Sequence, residues 1–186
     1  GGGDHEAAMD VCLGIIADHA DKIDGIKISL LDKDKEIRMR RRLPPGVRMY
    51  TGDDFNYPEL IAGDTQGHSD ALLGIFDAIA PVAAEALAAQ AEGDLERYRA
   101  LFAPTVPLAH HLFKAPTQFY KTGLVFLAYL NGHQSHFTLV GGQESARSLL
   151  HLVQAFRLAD AAGLIRDPDL AAARLTAVLR VHGVTA

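Results

Sequence analysis

The sequence predicts an α/β fold in which a short parallel sheet alternates with helices and gives way to a helical C-terminal region. Three apolar runs of strand length, residues 26–31, 47–51 and 71–76, are separated by stretches of helical character, which is the rhythm of a parallel sheet. Beyond Asp77 the chain turns alanine-rich, with repeated helix stop and start signals and no further strand run. Hydrophobic residues make up 48% and charged residues 22%, the balance of a folded, soluble chain rather than a disordered or fibrous one.

Taken in order, Met9, Cys12, Leu13, Ile16, Ala20 and Ile23 recur at three- and four-residue steps and predict an amphipathic helix over residues 6–23. Asp24-Gly25 ends it, and residues 26–31 are β-branched and too few for a helix. Residues 32–42 alternate charges with few apolar positions and read as a short solvated helix, the arginines Arg38, Arg40, Arg41 and Arg42 following Asp32, Asp34 and Glu36. Leu43-Pro44-Pro45-Gly46 breaks the chain before the second strand. A short helix is expected over 57–62, then the third strand. Further helices are expected over 80–90, 95–102, 119–131, 145–162 and 168–183. Gly93-Asp94 supplies a stop followed by an N-cap, and Asp167-Pro168 an N-cap and first-turn proline.

Composition narrows the function classes. A net charge of -5 argues against a large basic surface for nucleic acid, and the single Cys12 excludes an intramolecular disulfide and a multi-cysteine metal cage. No apolar run approaches the ~20 residues of a membrane span, and residues 1–10 lack a secretion signal, so a cytoplasmic protein with neither membrane nor nucleic-acid partner is expected. There is no Gly-rich phosphate loop, Gly-x-Ser-x-Gly elbow or dinucleotide fingerprint. His133 with His136, and His110 with His111, lack a third ligand at suitable spacing and read as surface or interface histidines, so no metal site is assigned.

The first strand carries the most informative residue. Alternation puts Ile26, Ile28 and Leu30 on one face, to meet helices, and Gly25, Lys27 and Ser29 on the other. A lysine turned into an interior loses hydration, which favours the free amine that attacks a carbonyl to give an iminium. The opposing reading is that Lys27 lies near a strand end and snorkels to solvent. Ser29 adds a hydroxyl to the same face, and Gly52 lets backbone approach a ligand at the end of the second strand. Asp53 and Asp54 either bind a metal or act as acid and base, or cap the next helix and orient backbone amides; the cap is favoured for at least one.

Asp24-Gly25-Ile26-Lys27, then Thr51-Gly52-Asp53-Asp54 at a strand end, then a third strand running into Ala80-Pro81, resembles the last three strands of the dihydrodipicolinate synthase/N-acetylneuraminate lyase superfamily. Ala91-Glu92-Gly93-Asp94-Leu95-Glu96 is similar to that family's turn after the eighth barrel helix, and Pro116-Thr117-Gln118-Phe119-Tyr120-Lys121 to the Pro-rich approach to its next helix. Thr51-Gly52-Asp53-Asp54-Phe55-Asn56-Tyr57-Pro58-Glu59-Leu60 and Phe119-Tyr120-Lys121-Thr122-Gly123 most resemble an uncharacterised branch, a domain of unknown function. The resemblance covers roughly residues 9–131.

It implies that the chain is the C-terminal part of a (β/α)₈ TIM barrel, residues 1–90 forming the last strands and helices and 91–186 a helical extension packed on them. The 186 residues fall short of the roughly 250 of a whole barrel. On this reading strands one to five, with the family's proton-relaying tyrosine and carboxylate-holding hydroxyls, lie elsewhere, on the same parent chain or on a partner. The resemblance makes Lys27 the Schiff-base residue of a class I lyase or aldolase acting on a 2-oxo acid or related carbonyl compound, without cofactor or metal. At the third strand this sequence departs from the better-known enzymes, carrying Gly74, Phe76, Asp77 and Ala78 in place of hydroxyl and amide side chains. Asp77 either binds a hydroxyl or amine of an unusual substrate or caps the following helix. Ser29, Gly52 and Asp53 are expected to shape the pocket, and the apolar stripes over 146–164 and 170–179 to pack on the barrel or on another subunit of a homo-oligomer. The rival readings are a noncatalytic barrel-derived assembly module and a metal-dependent lyase or hydrolase.

Overall fold

The computed structural model describes residues 3–185, so Gly1, Gly2 and Ala186 lie outside the described residues. The chain forms two compact units, Gly1–Gly74 and Ile75–Ala186. Sequence reasoning put the division at 90/91. It falls earlier because the helix that follows the third strand packs along its successor in the helical unit.

The first unit alternates helix and strand: α1 (His5–Asp18), β1 (Gly25–Ile28), α2 (Lys33–Arg40), β2 (Arg48–Thr51), α3 (Tyr57–Ala62) and β3 (Asp70–Ala71). The strands form one parallel sheet in the order β1-β2-β3. This is the α/β parallel architecture expected, and the sheet is open. Asp4 caps α1 by accepting the Glu6 and Ala7 N–H groups at 3.0 Å, and Asp32 caps α2 through Lys35 N–H. Met9, Leu13 and Ile16 of α1 join Met39, Val47 and Met49 in the core, with Ile26 and Ile28 packed against them. That arrangement confirms the alternation of β1: its isoleucines face the helices and Lys27 faces the other way.

Three expectations need correction. The first helix stops at Asp18, although Ala20 and Ile23 still pack against the core from the loop. The first strand ends at Ile28, and Leu30 is 44% exposed, because the backbone turns through a positive φ at Leu31 to reach the Asp32 cap. The third strand holds only Asp70 and Ala71; the rest of the 71–76 run leads into a helix beginning at Phe76. A short, wholly apolar run carries no periodicity that separates a buried strand from a buried helical turn.

The second unit is helical: α4 (Phe76–Ala91), α5 (Leu95–Phe102), α6 (Val106–Phe113), α7 (Tyr120–Leu130), α8 (Leu149–Ala161) and α9 (Pro168–Val181). Asp94, Ser148 and Asp167 cap α5, α8 and α9. α6 was not individually anticipated. Its buried Leu108, Ala109, Leu112 and Phe113 make it a core helix. No helix among the described residues is long and apolar enough to cross a membrane.

Candidate functional site

The register of the sheet decides what faces what. Ile26 pairs with Met49 and Ile28 with Thr51 on the helix-covered side, whereas Gly25 pairs with Arg48, and Lys27 with Tyr50, which in turn pairs with Asp70. In parallel strands paired residues share a face. One face of the sheet is therefore apolar and packed, and the other carries Lys27, Arg48, Tyr50 and Asp70. Lys27 and Ser29 are exposed on it. The removal of Lys27 from water that a free amine requires is thus not supplied by the described residues of this chain.

At the C-terminal end of the sheet three of the anticipated residues converge. Gly52 N–H donates to the Ile28 carbonyl at 2.6 Å, extending the β1–β2 ladder one step. A Cβ at Gly52 would lie 2.6 Å from Lys27 Cε and would overlap Ser29 Oγ. The glycine is what allows both side chains to lie across the strand end. Among the described residues, neither the Lys27 amine nor the Ser29 hydroxyl forms a hydrogen bond or ion pair, so both are available to an incoming molecule. Lys27 and Ser29 also line a cleft of about 220 Å³ bounded by α1 and α2, whose other walls include Met9, Cys12, Leu30 and Met39.

Asp53 and Asp77 are placed differently. Asp53 is buried, and its carboxylate accepts the Phe55 and Asn56 N–H groups at 2.9 Å and the Asn56 side-chain amide at 2.8 Å. Its own N–H donates to Thr51 Oγ1. Asp53 thus fastens the turn that carries Gly52, as the capping alternative has it. Asp77 belongs to the second unit, in the first turn of α4, where Ile75 rather than Asp77 is the N-cap. It does not follow a strand.

Four residues of the open face escaped the sequence reading. Asp24 accepts hydrogen bonds from Arg48 at 2.6 Å and from the Tyr50 hydroxyl at 2.5 Å, and the Arg48 guanidinium lies 5.0 Å from the Tyr50 ring centre and 3.6 Å from Asp70. The Tyr50 hydroxyl, and then Arg48, hold the Asp24 carboxyl below its ordinary range, while the same bond raises the Tyr50 phenol. The Tyr50 ring lies over Gly25, where a Cβ would come within 2.6 Å of it. Alternation along Arg48-Met49-Tyr50-Thr51 is the signal that puts Arg48 and Tyr50 on one face; their meeting with Asp24 and Asp70 depends on the register between strands.

Behind the sheet lies a buried polar cluster. Glu36, 1% exposed, accepts hydrogen bonds from Thr51 at 2.9 Å and Ser69 at 2.7 Å, and burial pushes its carboxyl up despite those bonds. Arg40, expected in solvent, is nearly buried and pairs with Asp64 at 2.9 Å. Arg38, Arg41 and Arg42 are ion-paired with Glu6, Asp64 and Asp10, which leaves the arginine run neutralised by its own unit.

Among the described residues no group of three or more His, Cys, Asp and Glu is placed to hold a metal. His111 instead stacks on His151 with ring centres 4.1 Å apart, and His111 Nε2 lies 2.9 Å from the His151 carbonyl. His136 Nδ1 bonds Thr138.

No curated protein matches the chain. One family model, described as a protein of unknown function (DUF993), matches residues 1–184, and the chain belongs to that family.

Proposed function

We propose that this chain supplies the lysine-bearing portion of a class I, Schiff-base lyase or aldolase that acts on a 2-oxo acid or related carbonyl compound. The observation that carries the proposal is the convergence of Lys27, Ser29 and Gly52 at the C-terminal end of parallel strands, with an unpartnered amine and hydroxyl and a glycine that makes room for both. The C-terminal ends of parallel strands are where α/β folds place their chemistry.

On this reading the Lys27 Nζ lone pair adds to the substrate carbonyl carbon and one water leaves, giving a protonated imine. The imine accepts the electron pair of the neighbouring C–C bond as that bond breaks and the hydroxyl on the departing carbon gives up its proton to become a carbonyl; the resulting enamine takes up a proton at carbon, and one water returns to release the product and restore the amine. Ser29 holds a substrate oxygen through its hydroxyl. Asp53 acts at one remove, fixing the turn at Gly52.

The parallel sheet then corresponds to the last three strands of a (β/α)₈ barrel of the dihydrodipicolinate synthase kind. Its open polar face becomes part of the barrel interior when further strands, from the same polypeptide or a partner, close it. Closure supplies the desolvation of Lys27 that the free amine requires. Borohydride reduction in the presence of pyruvate and other 2-oxo acids, followed by peptide mapping, tests the proposal: a reduced adduct on Lys27 supports it, and its absence with every carbonyl offered overturns it.

A further inference from the structure

The helical unit holds a larger cavity than the one beside Lys27, about 590 Å³, between the start of α4, the end of α7 and the loop from α8 to α9. Its size falls within the usual range of small-molecule pockets. The walls contributed by Ala78, Pro81, Val82, Ala128 and Leu164 are aliphatic. Asp77, His133 and Arg166 line the same cavity. Among the described residues none of these three side chains forms an ion pair or hydrogen bond, whereas Arg38, Arg40, Arg41 and Arg42 are all paired.

The backbone adds a second feature. α4 departs from helical geometry at Ile79 and contains Pro81, which has no N–H to donate to the Asp77 carbonyl four residues earlier. Asp77, in the turn before this break, lines the cavity and offers its carboxylate as the acceptor for a cationic N–H group. On the cationic side, Asn131 Oδ1 accepts the Arg166 backbone N–H at 2.9 Å and ties the α8–α9 loop to the end of α7. Gly163, at φ +68°, makes the bend that begins this loop. Arg166 is thus held at its backbone while its guanidinium remains unpaired.

We infer that this cavity binds a small zwitterion with an aliphatic body, of the α-amino acid class, its ammonium at Asp77 and its carboxylate at Arg166 with His133. A carboxylate and a guanidinium that share an aliphatic cavity without neutralising each other are complementary to a molecule bearing both charges, and a singly charged ligand would satisfy only one of them. The inference does not rest on the Schiff-base reading, since it uses no residue of the first unit.

The test is calorimetric titration of the full chain with leucine, with isopentylamine, which lacks the carboxylate, and with 4-methylpentanoate, which lacks the ammonium. Leucine is expected to bind saturably, and each singly charged analogue at least tenfold more weakly. Asp77→Asn and Arg166→Gln, checked for native helicity by circular dichroism, are each expected to weaken leucine at least tenfold; Asp77→Asn leaves 4-methylpentanoate unaffected and Arg166→Gln leaves isopentylamine unaffected. Absence of saturable leucine binding, or equal binding by the folded variants, overturns the inference. Lys27→Ala is expected to bind leucine normally, which separates this outcome from that of the borohydride experiment.

Discussion

Replacing Gly52 by alanine probes the space on which the proposed chemistry depends. The φ of Gly52 lies outside the left-handed region, so its backbone conformation does not itself forbid a side chain. Contacts do. The added Cβ would lie 2.6 Å from Lys27 Cε, 2.9 Å from the Ile28 carbonyl oxygen, and in overlap with Ser29 Oγ. The lysine and serine ends can swing away into the open face. The carbonyl cannot, because it already accepts the Gly52 N–H at 2.6 Å, so β1 and β2 must separate slightly. Overpacking generally costs about 1–3 kcal/mol, and with two of the three contacts able to relax outward the lower half, about 1–2 kcal/mol, is expected. Urea denaturation reads this cost, and borohydride trapping with pyruvate reads the position of the amine. Lys27 itself is untouched, so at least a tenfold fall in trapping rate with a retained circular dichroism spectrum would report displacement of the reactive group. Trapping at the wild-type rate together with an unchanged denaturation midpoint would refute the convergence of Lys27 and Ser29 on Gly52.

Other predictions concern groups whose environments differ most from water. His151 is 5% exposed, neither ring nitrogen has a hydrogen-bond partner among the described residues, and burial with the nearby His111, Arg147 and Lys114 lowers its pKa from 6.5 to about 3. The native state therefore keeps it neutral while the unfolded chain protonates it near 6.5. Its stabilising contribution is complete above that pH and declines as pH falls toward 3, by at most about 5 kcal/mol. Urea midpoints measured from pH 7 to 4 should fall less steeply for His151→Phe, and identical slopes would contradict this. Glu36→Ala, which strips the hydrogen-bond acceptor from Thr51 and Ser69, should destabilise by about 1–3 kcal/mol, while Glu36→Gln costs less, as equilibrium denaturation will show. Tyr50→Phe removes the hydroxyl from Asp24, and the Asp24 carboxyl should titrate closer to its ordinary value by NMR.

The parts of the fold that sequence reasoning reached are those governed by local rules. Asp94 and Asp167 cap their helices as expected, and alternation places Ile26 and Ile28 in the core with Lys27 opposite. It failed where one composition suits two structures, as in the 71–76 run, whose residues serve a two-residue strand and the approach to a helix. It also failed where long-range partners decide burial. Nothing local distinguishes Arg40 from Arg41, yet only Arg40 is drawn inside, by Ser69, the Leu60 carbonyl and Asp64. Lys27, Ser29 and Gly52 were legible because a strand end and a glycine already imply close approach. The Asp24–Arg48–Tyr50 network was not, since it depends on the register between two strands. The His111–His151 stack joins helices 40 residues apart, and no spacing rule reaches that far.

The most direct test of the central claim is borohydride reduction of the full-length protein with a panel of 2-oxo acids and aldehydes, read by peptide mass spectrometry in parallel with Lys27→Ala. The account predicts a single reduced adduct on Lys27 and none on the variant. Adducts spread over surface lysines, or turnover retained by Lys27→Ala, would contradict it.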